Sequence, residues 1–165
     1  MANISTVAVS ALYGLLTGAN GLLERIDEIS RDAGSGLPTL LASDILQRHV
    51  AADIAEKTSG VRYPSVHVFC EKVVNELREK FRRFSGTADL VVEIRVSHEH
   101  MDQLQKVLQT YAEVVTDLLD SKRGHWAPGV FYTGGYTIQY GPVKRGGRGF
   151  LQSAKVELTV NGSME

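Results

Sequence analysis

Cys70 follows His67 by three positions, and this pair is the first place to look for nucleophilic chemistry, because a reactive thiolate needs an imidazole within hydrogen-bond reach. The pattern Val66, Val68 and Cys70 against His67 and Phe69 reads as a short strand, in which an odd offset puts thiol and imidazole on opposite faces. Cys70 therefore reads as a small buried hydrophobe. His98 and His100 would clip a metal only on an extended backbone, since residues two apart on a helix do not face each other, and no third ligand is specified by spacing. They read as solvated histidines at a helix start. The glycines around Arg145 lack the lysine and hydroxyl that follow the second glycine of a phosphate-binding loop, and no dinucleotide fingerprint follows a strand. A nucleophile elbow, a zinc-protease motif and a calcium loop are likewise missing. The sequence assigns no catalytic residue, no cofactor-binding residue and no metal ligand, and the reading is non-enzymatic.

What remains is charge. Arg78 to Arg83 reads as the solvated face of a helix. The stretch Gly141-Pro142-Val143-Lys144-Arg145-Gly146-Gly147-Arg148-Gly149 packs four glycines, a proline and three cations into nine residues, a composition expected neither to continue a ladder nor to fill a core. It is expected to be an exposed, mobile loop, with Lys144, Arg145, Gly146, Gly147 and Arg148 as the candidate docking residues. Such segments track phosphate backbones or settle on acidic protein surfaces.

Two strands must carry that loop. After it, Gln152, Ala154, Val156, Leu158 and Val160 share one face while Leu151, Ser153, Lys155, Glu157 and Thr159 share the other; before it, Tyr136, Ile138 and Tyr140 alternate with Thr137 and Gln139 as an antiparallel partner. Leu90, Val92, Ile94 and Val96 mark another strand, with Glu93, Arg95 and Ser97 turned away from them. Met101, Leu104, Leu108, Tyr111, Val115 and Leu118 recur at helical steps, with Ser97 as candidate N-cap and Gly124 as the stop. Val73, Val74, Leu77 and Phe81 predict a helix over 71–84, and the residues from His125 to Gly135 read as a loop. Leu40 to Lys57 fits both periods and is taken as a helix; Thr58-Ser59-Gly60 ends it. At the N-terminus, Val7, Ala8, Ala11, Leu12, Leu15 and Leu16 and then Leu22, Leu23, Ile26 and Ile29 predict two short helices or one bent one, closed by Gly34-Ser35-Gly36. They serve either as a cover on the sheet or as a contact with a neighbouring subunit. The expected fold is α+β: residues 1–165 as one domain, with a mainly antiparallel sheet of about four strands, helices packed against it, a helical N-terminal extension over 1–36 and a core over 61–162.

Composition sets the outer bounds. A chain of 165 residues can bury roughly two thirds of its unfolded surface. Eighteen basic against nineteen acidic residues argue against a dedicated nucleic-acid wrapper. One cysteine excludes an intrachain disulfide and fits a reducing compartment. The run Val7 to Leu16 falls short of the roughly 20 residues that span a bilayer, and no basic residue precedes it, so neither a signal peptide nor a membrane helix is expected.

The order of motifs carries one more signal. Tyr63-Pro64-Ser65-Val66, the run Asn75 to Gly86, Val91 to Val96, Tyr111 to Leu119, Gly134-Gly135-Tyr136, Val143 to Gly147 and Phe150 to Ala154 together resemble the tail terminator, or tail completion, proteins of tailed bacteriophages. The resemblance covers about residues 60 to 160; the first 60 are less typical of the family. It implies an α+β subunit of a hexameric ring that caps the tail tube and presents its other face to the head. The implied partners are further copies of the chain, the tail tube protein and the head connector or stopper protein. DNA would pass through the ring lumen, and no membrane or cofactor is involved. The implied location is the virion tail or neck, reached from the host cytoplasm. A head-completion or stopper protein of the neck and a nucleic-acid-binding module built on the 144–148 loop are the alternatives. Steeply salt-dependent DNA affinity would mark the last of these.

Overall fold

The computed structural model describes residues 3–33, 37–51 and 62–165. The expected stops at Gly34-Ser35-Gly36 and Thr58-Ser59-Gly60, and the part of the expected 40–57 helix beyond Ala51, lie outside the described residues. Helices α1 (Ile4–Thr17) and α2 (Leu22–Ala33) lead into a 3-10 turn (Ala42–Asp44) and strand β1 (Ile45–Leu46). Strands β2 (Ser65–Asn75) and β3 (Phe84–His98), helix α3 (Met101–Ser121) and strands β4 (Gly124–Ala127), β5 (Val130–Tyr132), β6 (Thr137–Tyr140), β7 (Lys144–Gly146) and β8 (Gly149–Met164) follow.

The expected sheet of about four mainly antiparallel strands is overturned: the described residues form a mixed sheet of eight. Its order is β1-β2-β3-β8-β5-β4, with β6 and β7 also on β8 and with β1 parallel to β2. The missed strands are short, two to four residues each, and a segment that short carries no measurable period. Thus His125 to Gly135, expected as a loop, holds β5 and most of β4.

A second correction concerns 71–84, expected as a helix. Strand β2 runs on past a register shift between Cys70 and Lys72 to Asn75, and Val73 and Val74 are consecutive strand residues paired with Ala88 and Thr87. Apolar neighbours followed by Leu77 and Phe81 imitate a helical stripe. Leu77 and Phe81 instead stand 61% and 102% exposed in the β2–β3 connection.

The long strands follow their patterns. Leu90, Val92, Ile94 and Val96 of β3 and Ala154, Val156, Leu158 and Val160 of β8 are buried on one sheet face. Helix α3 lies over β3 and β8, α1 over β2 and β3, and α2 packs on both helices. Asn3 caps α1, its side-chain oxygen accepting from the Thr6 amide at 2.9 Å. Ile4, Ala8, Leu12 and Leu16 then form a ridge buried in the core of the same chain, as do Leu22 and Ile26 of α2. By length and composition Ile4–Asp32 is also long and apolar enough to cross a membrane. The stretch is parted between Thr17 and Leu22, where a Cβ on Gly21 would meet the Leu16 carbonyl oxygen at 2.5 Å. Ser97 does not cap α3: His100 occupies the N-cap position, and Ser97 lies within β3.

Candidate functional site

The docking candidates sit on a hairpin rather than on an unladdered loop. Lys144 pairs with Leu151, Arg145 with Phe150 and Gly146 with Gly149, so β7 folds directly back on the start of β8. The composition expected to prevent pairing does not, because Lys144 and Arg145 stay exposed on an edge strand and Arg148 stays exposed in the turn. The turn at Gly147 has φ 58°, and a Cβ there would lie 2.2 Å from Ser97 Oγ. Only glycine meets both conditions. Ser97 Oγ donates to the Gly146 carbonyl at 3.1 Å and accepts from the Arg148 amide at 2.8 Å, pinning the turn to the end of β3. Lys144, Arg145 and Arg148 are exposed, and none forms an ion pair among the described residues.

The hairpin stands between two clefts. Gly147 and Arg148 line one of about 790 Å3 together with Pro38, Arg62, Tyr63 and Glu99, while Lys144 and Arg145 line another of about 660 Å3. The second opens on the sheet face away from the helices. There the register places Ser65, Arg95 and Ser153 in one cross-strand row and His67, Glu93 and Lys155 in the next. Sequence alternation puts Glu93 and Arg95 on the wet side, yet they are only 8% and 2% exposed. The segment before the undescribed residues covers them: Val50 accepts from Arg95 Nη2, and the His49 ring stacks on Phe69 at 3.8 Å. Arg95 Nη2 also donates to Glu93 Oε2 at 2.7 Å.

His67 is buried beside this pair, with Nε2 3.4 Å from Ser65 Oγ and Nδ1 unpartnered among the described residues. Burial, reinforced by the Arg95 and Arg48 charges, lowers its pKa from 6.5 to about 4. Between those values the unfolded chain holds more protons than the folded one, so the contribution of neutral His67 to stability is full above pH 6.5 and is lost as pH falls toward 4. Urea midpoints measured across that window are expected to fall less with acid in His67→Leu than in the parent; equal slopes would show that the imidazole is not the titrating group.

The other chemical candidates separate. Burial pushes the Cys70 thiol above its ordinary value, and its Sγ donates to the Lys72 carbonyl at 3.6 Å. His98 Nδ1 accepts from the His100 amide at 2.9 Å, and among the described residues no group of three His, Cys, Asp or Glu side chains is placed to hold a metal ion. The cluster over 78–83 belongs to the β2–β3 connection instead of a helix face. Arg78 pairs with Glu76 at 2.6 Å, and Arg82 pairs with Glu79 at 3.3 Å and Glu165 at 3.0 Å.

No family model matches the chain, and no curated protein matches it. One solved structure, described as "Virion of native gene transfer agent (GTA) particle", contains a similar chain. The alignment covers 94% of this chain and 93% of that one, at 12% identity and a TM-score of 0.47. Likeness of that degree leaves the assignment to the residues themselves.

What sequence reasoning missed is the polar row beneath the hairpin. A usable signal for the hairpin did exist: Val143 to Gly146 and Gly149 to Leu151 flank two residues, Gly147-Arg148, which is the spacing of a tight hairpin turn.

Proposed function

We propose that the chain is a non-enzymatic virion subunit of the tail terminator type, forming a hexameric ring that caps the tail tube and offers its other face to the head connector or stopper. The motif order from Tyr63 to Ala154 supports the family, and the pinned cationic hairpin Lys144–Arg148 is the observation that carries the function. Three charges held on a short, pinned hairpin and unpaired among the described residues suit an adaptor that grips another protein, because little ordering entropy is left to lose on binding. Arginine in such a position grips a carboxylate with two nitrogens.

Replacing residues 143–149 by Asn-Gly is expected to leave the circular dichroism spectrum and a cooperative melt in place, since β8 keeps its pairing with β3, and to abolish capping of tail tubes. Capping at parental efficiency would sink the docking role, and a collapsed fold would show that the hairpin serves structure. Arg145→Gln with Arg148→Gln separates charge from length: added salt should weaken capping by the parent more than by this variant. Mass photometry showing only monomer, with and without tube ends, would count against the ring.

A further inference from the structure

We propose that the cleft between the β7–β8 hairpin and the segment His49–Ala51 receives an acidic protein segment, whose carboxylates meet Lys144, Arg145 and Lys155. The inference rests on the reading of the hairpin as a docking element and names the chemistry of its partner. The cleft has a volume of about 660 Å3. Lys144 and Arg145 of β7 form one side, His49, Val50 and Ala51 the other, and Glu93, Arg95 and Lys155 rise from the sheet between them. Four cations thus face one carboxylate, and that carboxylate is already engaged by Arg95 Nη2 at 2.7 Å. Lys144, Arg145 and Lys155 have no ion pair among the described residues.

A second observation points the same way. Arg95 is 2% exposed, and among the described residues its Nε and Nη1 find no hydrogen-bond partner. Buried donors are almost always paired, so these nitrogens leave positive charge under the cleft that Glu93 alone answers, and an anion lodged above it is favoured. A carboxylate supplies that charge and accepts from Lys144, Arg145 and Lys155. A nucleic acid fits less well. The recess is the size of a site for a few side chains, whereas a phosphate backbone calls for an extended stripe of cations. Single strands further call for free aromatic faces, and the one ring lining the cleft, His49, is stacked on Phe69.

The test uses the full chain and a fluorescent hexaglutamate peptide, read by anisotropy at low salt. The parent is expected to bind, Lys155→Gln and Arg145→Gln are each expected to weaken binding about tenfold, and Arg78→Gln, whose residue pairs with Glu76 elsewhere, is expected to change nothing. Arg145 is exposed on an edge strand, so its variant carries the test even where Lys155→Gln disturbs the fold. Affinity indifferent to both cleft variants, or lowered equally by Arg78→Gln, overturns the site. Tighter, equally variant-sensitive binding of an oligothymidylate overturns the protein partner in favour of nucleic acid. Capping of tail tubes by the parent with glutamate binding indifferent to the cleft variants would remove this site while keeping the tail terminator reading. Variant-sensitive glutamate binding without capping would keep the site and remove that reading.

Discussion

Leu108→Ala is expected to lower the free energy of unfolding by about 2–5 kcal/mol, the range for truncating a buried leucine. Leu108 has no exposed surface and sits mid-helix in α3, in a stripe with Leu104, Tyr111, Val115 and Leu118 that covers β3 and β8. Its removal costs the transfer free energy of the lost methyl groups and leaves a void that the surrounding strands cannot close without breaking their ladders. Against a total stability of about 5–15 kcal/mol, the variant should show a much lower urea midpoint with an unchanged slope. A variant that melts like the parent but no longer assembles would move the stripe from the core to a subunit boundary.

Glu93→Leu is expected to be comparably damaging, at about 3–5 kcal/mol, because it leaves the Arg95 charge buried without its counter-ion. The pair is nearly inaccessible, and the groups lining the cleft above it are cations, so nothing among the described residues takes over from Glu93. The reverse change, Arg95→Met, should be milder: the stranded Glu93 carboxylate keeps Lys155 directly across the strand pair. Replacing both residues together should recover most of the loss, since two apolar side chains need no partner. A double-mutant cycle by urea denaturation measures the coupling. A double variant as unstable as Glu93→Leu would show that the charge pair is not what holds this face together.

Much of the fold was legible wherever a periodic run was long. Strands β3 and β8 are 15 and 16 residues long, with alternation legible over 90–96 and 150–160, and in α3 the steps of three and four run from Met101 to Leu118. Short strands gave no such signal. Val130–Tyr132 is a strand because β4 and β8 pair with it, and Lys144–Gly146 because β8 lies beside it, which are tertiary facts. The same reason hid the polar face. Glu93 and Arg95 alternate as wet residues should, and among the described residues it is the segment His49–Ala51, distant in sequence, that lies over that side. Of the candidate site, the residue types were legible and the geometry was not: Lys144 to Arg148 were singled out by composition, while the contact with Ser97 that pins them spans 51 positions from Arg148.

Strand β8 pairs with β3 along its whole length on one side, and on the other with β7, β6 and β5 in succession. The three short strands touch it at separate places: β7 at Gly149–Leu151, β6 at Ala154–Glu157 and β5 at Asn161–Gly162. The connections 133–136 and 141–143 can therefore change with little shift of the strands beside them, because β6 and β7 each take their register from β8 and not from each other. One edge of the molecule is in effect a row of independently replaceable parts mounted on an invariant rail, an arrangement under which a lineage could revise what the subunit grips while the core that supports it stays as it is.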